Sequence, residues 1–330
     1  MMHLAPGKAQ LYDRLRYDVV AAGGQMLLLS NTDEWPQVFS VTLDDASARI
    51  RVYLWHLTHD SARDDYKFQL TRVSGNRFIF ETGVRTIILG YYDAMRVYLA
   101  ADSTHRRARF GISPAIQVRQ KHLESANRNG FCAFTKTRTN ESVVVVRHDF
   151  IATYLTQAAS IHAVGELPDG VAQLNDLTAA VGEPRPVILK PRGKAASIVL
   201  RSLRRSDFSN RIMAAYQHRC CACELQLELV DAAHIVPVDA AMGSDDTRNG
   251  LALCRLHHKA YDDGLLGIFP NYSITISQDQ VARLDAITKL GGLPMFQSNL
   301  RSAIALPYNR ADHPDPQCLR IGLEARNWKL

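Results

Sequence analysis

The first half of the chain consists of short segments in which apolar, β-branched and aromatic residues alternate with polar ones. This two-residue period, interrupted by turn-forming Asn, Asp, Ser and Gly, is typical of antiparallel strands with one buried face. We predict strands over residues 26–30, 38–43, 50–56, 66–71, 78–81, 86–89 and 95–100. Three further elements complete this half. We predict a helix from Ser113-Pro114 to residue 128, ended by Gly130, then a hairpin of residues 131–135 and 142–147, and last a helix from Asp149 to residue 160.

Helical spacing dominates the second half. Phe208, Ile212 and Tyr216 fall on one stripe of a predicted helix that Asp207 or Ser209 would cap. Residues 254–264 predict a short helix with Gly264 just past its end. Segments 265–269 and 272–276 predict a hairpin, and residues 279–289 a further helix.

The two halves are separated by residues 166–200, which are dense in Gly and Pro and predict a linker that contains one short helix over 171–180. We therefore divide the chain into a domain of residues 1–165, a linker of 166–200 and a domain of 201–330. The predicted fold class is α+β, with a mostly antiparallel N-terminal β-domain that carries helices.

Cysteine spacing indicates a metal site in the second half. Cys220 and Cys223 form a Cys-x-x-Cys pair, and Cys254 and His257 form a Cys-x-x-His pair downstream. Two such pairs supply the four ligands of a closed tetrahedral zinc site. The alternative is a set of buried thiols with a surface histidine. The remaining cysteines, Cys132, Cys221 and Cys318, are scattered, which favours reduced thiols over disulfides.

The helix predicted over residues 254–264 presents a second pair of potential ligands. Residues three or four apart share a helix face, so Cys254 and His257 look to one side, and His258 and Asp262 to another. An imidazole with a carboxylate suits a divalent ion that keeps open water positions. One short helix therefore serves both a structural zinc and a second, divalent ion.

At this point the residues resemble a known family. His234, Asn249 and His258, within "AHIVP", "NGLALC" and "HHKAYDDGLL", are similar to the motif of the HNH nucleases of the ββα-metal type. The resemblance implies a zinc-stabilised ββα-metal module. In it His234 is the general base, Asn249 orients the base loop, and His258 with Asp262 binds the catalytic ion, Mg²⁺ or Mn²⁺. Many HNH sites have Asp or His before the base histidine, where this chain has Ala233; Asp231 is the alternative to Asp262.

The net charge and the hydropathy of the chain indicate which kind of partner and which location to expect. The formal net charge of +6 and the pI of about 9.0 suit a polyanion. The basic group Arg201, Arg204 and Arg205 precedes the metal module, and we expect it either to contact DNA phosphates or to form a solvated face. No apolar run is long enough for a membrane span, and no signal-peptide core is visible, so we expect a cytoplasmic protein.

The first domain resembles, only loosely, the target-recognition domains that precede HNH modules in restriction nucleases. This resemblance implies recognition of double-stranded DNA, including a modified base held on aromatic side chains. The available aromatics are Tyr53, Trp55, Tyr91, Tyr92 and Tyr98, each of which would otherwise belong to the core. A protein-interaction role and a small-ligand sensor are the alternatives for this domain.

Together these observations predict a metal-dependent DNA endonuclease. We expect a restriction enzyme, with modification dependence as one form of it, that acts as a homodimer because cutting two strands requires two active sites. Two other classes stay open: a non-catalytic zinc DNA-binding protein, and a ligand-activated effector nuclease of antiphage defence.

Overall fold

The chain folds into two compact units whose boundary lies between Ser206 and Asp207. A computed structural model describes residues 2–3, 6–60, 65–110, 114–136, 139–179, 194–238, 240 and 243–328. Each unit has its own apolar core, one built by residues up to Leu203 and the other by residues from Phe208 onward. No helix within the described ranges combines the length and the apolar character that crossing a membrane requires.

The first unit is built mainly of strands. Its helices are α1 (Pro6–Ala21), α2 (Gln120–Asn129), α3 (Ile151–Gly165), α4 (Gly170–Ala179) and the first part of α5 (Lys194–Ala215). Its strands are β1 (Met2–His3), β2 (Gln25–Leu28), β3 (Glu34–Trp35), β4 (Gln37–Leu43), β5 (Ala46–His56), β6 (Thr58–Asp60), β7 (Asp65–Gln69), β8 (Arg85–Tyr92), β9 (Val97–Ala101), β10 (Ala115–Arg119), β11 (Phe131–Lys136) and β12 (Glu141–Arg147).

A seven-stranded sheet in the order β11-β12-β9-β8-β5-β4-β2 forms the centre of this unit. Its pairs are antiparallel except β5 with β8, which run parallel. Strands in the middle of the sheet are apolar on both faces, as the fully buried run Val143–Val146 shows, because helices and a smaller sheet cover them. The smaller sheet has the order β10-β7-β6. The predicted α+β class is confirmed.

Three local predictions for this unit are wrong. Residues 115–119, predicted as helix, form strand β10, where Ile116 and Val118 are buried and their neighbours are not; Ser113, the predicted helix start, lies outside the described residues. Segment 78–81 forms no strand, and the Phe78 ring packs edge-on against Tyr53. Helix α3 starts at Ile151, with no side-chain cap, after a 3-10 turn that contains Asp149.

Helix α1 is an element that we did not predict. Leu11, Leu15 and Val19 are buried and four residues apart, so they line one face of the helix against β5 and β2. Proline at its first position and Gly23 with φ +79° after its last turn are ordinary helix boundary signals.

The second unit contains the remainder of α5 and a set of short elements. These are β13 (Val230–His234), β14 (Gly250–Cys254), α6 (Arg255–Asp262), β15 (Leu266–Ile268), β16 (Ile274–Ile276), α7 (Gln278–Ala286), α8 (Leu293–Ser298) and α9 (Pro316–Ala325). Phe208 and Ile212 are buried on one stripe of α5, as their spacing predicts, and Tyr216, directly after the last residue of the helix, is buried as well.

The predicted linker differs from the structure at both of its ends. Helix α4 packs on α3 and β11 within the first unit, with the Asn175 amide bonded to both backbone groups of Ala133. Helix α5 begins at Lys194, so neither Asp207 nor Ser209 caps it, and residues 201–206 belong to the first unit. Only residues 180–193, which lie outside the described ranges, separate the two helices.

Candidate active site and metal centres

Two antiparallel strands and a helix form the framework of the site. Strand β13 pairs with β14 so that His234 lies opposite Gly250, and α6 follows β14 directly. Gly250 is required here because a Cβ would lie 2.2 Å from the Ile212 side chain and 2.8 Å from that of Phe208. This close approach of α5 to β14 holds the ends of the two strands, and with them His234 and Asn249, in one place.

Cys220, Cys223, Cys254 and His257 converge at the start of α6. Their ligand atoms lie within 4.8 Å of one another. Cys254 Sγ is 3.3 Å and Cys220 Sγ 3.5 Å from His257 Nδ1, and Cys223 Sγ is 3.9 Å from Cys254 Sγ. Ligands about 2.1–2.3 Å from a tetrahedral zinc have mutual separations of this size.

The electrostatics of this cluster also favour a cation. Hydrogen bonding to Cys220 and burial raise the pKa of Cys254 to about 11, and burial raises the pKa of Cys223, whereas hydrogen bonding to Cys254 lowers the pKa of Cys220. Deprotonation of Cys220 is thus favoured over deprotonation of Cys223 and Cys254. A bound zinc ion would remove this competition by compensating several thiolates at once. The donor set therefore fits zinc, which the sequence predicts.

His234 is held in a defined orientation at the end of β13. Its ring stacks on Phe208, with centroids 3.8 Å apart and planes at 8°. Its Nε2 lies 3.1 Å from Asp245 Oδ1. An ionised carboxylate can only accept, so in neutral His234 the proton is on Nε2 and the lone pair is on Nδ1. Nδ1 has no hydrogen-bond partner among the described residues.

Asn249 is buried and uses its whole amide to connect two segments of backbone. Its Oδ1 accepts from Val236 N at 2.9 Å, and its Nδ2 donates to Val236 O at 2.9 Å and Ser244 O at 2.8 Å. Asn249 therefore fixes the chain two residues after His234 against the loop that carries Asp245. Both the oxygen and the nitrogen of the Asn249 amide are thus bonded to backbone groups in the interior of the second unit.

His258 and Asp262 lie together on the exposed side of α6. His258 Nε2 is 3.4 Å from Asp262 Oδ2, while Asp262 Oδ1 pairs with Arg326 Nη2 at 3.3 Å. Ligands about 2.1 Å from one octahedral ion are separated by about 3 Å, so the pair fits a shared Mg²⁺ or Mn²⁺. Within the described part of the chain, this pair belongs to no group of three or more His, Cys, Asp or Glu ligand atoms within 4.8 Å. Water and a substrate oxygen would have to complete the coordination.

Neither the residue before His234 nor the alternative ligand Asp231 joins the His258–Asp262 pair in a group of ligand atoms within 4.8 Å of one another. Ala233 is buried in the core of the second unit. Asp231 is three residues before His234 on β13, so its side chain faces the other side of the strand, and its Oδ2 pairs with Arg255 Nε at 3.4 Å.

The arginines predicted to contact DNA lie on α5, within the first unit. Arg201 and Arg205 are exposed, and Arg205 forms an ion pair of 3.1 Å with Asp44. The structure thus separates this group from the second unit, to which we assigned it.

Two residues of the site were not predicted. Asp245, between Gly243 and Asn249, resembles an ordinary turn residue in the sequence. Arg326 lies far along the chain, yet it donates to Ile235 O at 2.7 Å and to His234 O at 3.2 Å, and its guanidinium lies 4.0 Å from the Tyr261 ring centroid. No local pattern marks it, because its partners come from β13 and α6.

Comparison with known families identifies the domain that carries this geometry. Residues 220–268 match the family model described as HNH endonuclease. The resemblance to the HNH nucleases is confirmed: the second unit contains an HNH endonuclease domain, and the chain is a nuclease. Residues 48–155 match a second family model, described as methylase-associated X1.

One solved structure similar to this chain is described as a modification-dependent TagI restriction endonuclease. The similarity covers 84% of this chain and 80% of that chain, at 11% sequence identity and a TM-score of 0.29. No curated protein matches the sequence.

Proposed function

We propose that the chain is a metal-dependent DNA endonuclease of the restriction type, in which His234 activates a water molecule. The observation that carries this proposal is the double constraint on the His234 ring, stacked on Phe208 and hydrogen-bonded through Nε2 to Asp245. A carboxylate on one ring nitrogen fixes the tautomer and supports the positive charge that the ring acquires when the other nitrogen takes a proton.

His258 and Asp262 would hold the catalytic divalent ion. Bound there, Mg²⁺ or Mn²⁺ supplies Lewis-acid stabilisation of the scissile phosphate and of the leaving oxygen. Arg326 orients Asp262 by its ion pair with Oδ1, so that the other oxygen, Oδ2, faces His258. Arg326 also donates to the His234 and Ile235 carbonyls, so one guanidinium positions the base strand and the carboxylate together.

The restriction-type part of the proposal rests on the domain combination. An HNH endonuclease domain joined to a domain described as methylase-associated suits a nuclease whose action depends on the methylation state of its DNA. Recognition would then belong to the first unit and cleavage to the second. The proposal includes a homodimer, because two active sites are needed to cut both strands.

Cleavage of plasmid DNA by the full chain tests this proposal. We expect methylated and unmethylated plasmid to be cut to different extents, only when Mg²⁺ or Mn²⁺ is added. His234→Ala should lower the cleavage rate about 10²- to 10⁴-fold, with the affinity for DNA unchanged. Binding without any nicking would favour a zinc DNA-binding protein. An absence of plasmid cleavage until a nucleotide is added would favour an effector nuclease.

The contact between His234 and Asp245 provides a second test. Asp245→Asn keeps an acceptor for Nε2 but removes the charge, so we expect the cleavage rate to fall about tenfold with little change in DNA affinity. The matched control is Asp285→Asn, at an exposed carboxylate on α7. Equal rates for the two variants would exclude a role for Asp245 in orienting the base.

A further inference from the structure

Three potential metal ligands meet in the first unit, outside the nuclease site. Asp102 directly follows β9, His105 lies in a 3-10 turn of residues 104–106, and Glu166 directly follows α3. One ligand atom from each residue lies within 4.8 Å of the other two. His105 Nε2 is 2.8 Å from Glu166 Oε1 and 4.0 Å from Asp102 Oδ2. Ligands about 2.1 Å from a tetrahedral ion are about 3.4 Å apart, which lies between these two distances.

Asp102 is a buried carboxylate that the surrounding protein satisfies only in part. Its side chain is 5% exposed. Its Oδ1 accepts from Thr104 N at 2.8 Å, whereas no residue in the described ranges donates a hydrogen bond to its Oδ2. Among the same residues, no lysine or arginine forms an ion pair with Asp102, and His105 is the basic group within 4.0 Å. Because a buried charge without a partner is costly, Oδ2 is suited to coordinate a cation.

The charges around this group also favour a divalent ion. Arg106, the cation next to His105 in the sequence, is already paired with another buried carboxylate, Glu141, through Nε and Nη2. Asp102 and Glu166 therefore share one imidazole, and with His105 neutral they carry two uncompensated negative charges. One nitrogen and two oxygen ligands suit zinc, which often keeps three protein ligands and one water molecule. Water has access, because the His105 side chain is 32% and the Glu166 side chain 45% exposed.

We propose that Asp102, His105 and Glu166 bind a zinc ion in the first unit, separate from the cysteine and histidine cluster of the second. The ion would join the turn after β9 to the end of α3. It would thereby hold the start of the segment that continues through Arg107 and Arg109, both of which are exposed. This site goes beyond the proposed nuclease function, because no residue of the second unit takes part in it.

The amount of zinc bound to the full chain, measured by equilibrium dialysis at micromolar free zinc, tests this site. Every chain in the experiment carries His258→Ala, so that the His258–Asp262 pair does not contribute. We expect the chain to bind one zinc ion more than the same chain with His105→Ala or Glu166→Gln added. Glu166→Gln keeps an acceptor for the His105 ring and removes only the charge. His56→Ala is the matched control, because His56 is exposed on β5 and lies outside the ligand group.

The rate of tryptic cleavage after Arg107 and Arg109 provides a second readout, which involves neither DNA nor a count of ions. At free zinc about ten times the dissociation constant, binding should slow local opening, and with it cleavage, about tenfold relative to chelator. In the His105→Ala chain, zinc should leave the cleavage rate unchanged. The proposal is wrong if His105→Ala and Glu166→Gln bind as much zinc as the His56→Ala chain, or if zinc does not slow cleavage. His105 and Glu166 would then form an ion pair that binds no metal.

Discussion

At the scale of single residues, Asn249 shows how one amide determines the geometry of the site. Asn249→Asp keeps the acceptor for Val236 N but replaces both donated hydrogen bonds with an oxygen facing two carbonyls. We expect a loss of about 2–4 kcal/mol in the free energy of unfolding, because buried acceptors are left unpaired beside a charge. Urea unfolding of the full chain, followed by circular dichroism, measures this loss.

Asn271→Asp is the control for that experiment. Asn271 is exposed, and its Oδ1 accepts from Ser273 N and Ser273 Oγ, so an aspartate there keeps both bonds. We expect its stability to stay within about 0.5 kcal/mol of the wild type. Similar losses for the two variants would show that the buried network around Asn249 is not the source of the effect.

Lys8 makes stability depend on pH. Burial, and secondly the Arg72 guanidinium, lower the pKa of Lys8 to about 7, although its ammonium lies over the Trp35 and Trp55 rings. Between about pH 7 and 10 the unfolded chain holds a proton that the folded chain lacks, so this contribution to stability increases with pH and is least favourable below pH 7. Lys8→Met should flatten the rise of the urea midpoint over this range. Lys121→Met, at an exposed lysine on α2, should leave the rise unchanged.

At the scale of elements, alternation in the sequence predicts most strands of the first unit, but it does not distinguish a short strand after proline from a helix start. Residues 115–119 follow Pro114 and form a strand because β7 offers a partner whose position no local pattern reveals. The ββα framework, in contrast, could be predicted because its ligands, turn and helix lie within one continuous segment of the sequence. The spacing of its residues therefore indicates their geometry.

Helix α9 completes the site from a distant part of the chain. It packs so closely on the end of β13 that a Cβ on Gly322 would lie 2.8 Å from Ile235 O and 3.2 Å from Tyr261 Oη. We expect Gly322→Ala to cost about 1–3 kcal/mol in the free energy of unfolding and to slow DNA cleavage, because α9 carries Arg326 away from Asp262. Stability and cleavage rate are measured on the same preparation.

Gly291→Ala is a matched substitution of the same type. No described residue lies within 4 Å of a Cβ at this position, and its backbone is not left-handed, so alanine should be neutral or slightly stabilising. If Gly322→Ala cleaves DNA and unfolds like Gly291→Ala, close packing of α9 is not required for the site.

At the scale of the whole molecule, the two units differ in what stabilises them. The first unit has a large sheet whose core extends from α1 to the first part of α5. The second unit consists of two-stranded sheets and short helices, and elements of this size are marginal without an additional cross-link. The cluster of Cys220, Cys223, Cys254 and His257 joins the turn before β13 to the start of α6, and a zinc ion bound there would provide that cross-link.

Removal of zinc should therefore unfold the second unit and leave the first folded. We expect calorimetry of the full chain to show two transitions, of which a zinc chelator abolishes one, and Cys254→Ala to have the same effect without chelator. Cys318→Ala is the control, because Cys318 is also partly buried in the second unit but lies outside the cluster. The number of protons released on adding zinc gives an independent readout. Thiols that bind zinc lose their protons, whereas thiols that are only packed in the core keep them. The prediction is wrong if both transitions persist in chelator and no protons are released on adding zinc. The four side chains would then be ordinary packed residues, and the apolar core alone would stabilise the short elements of the second unit.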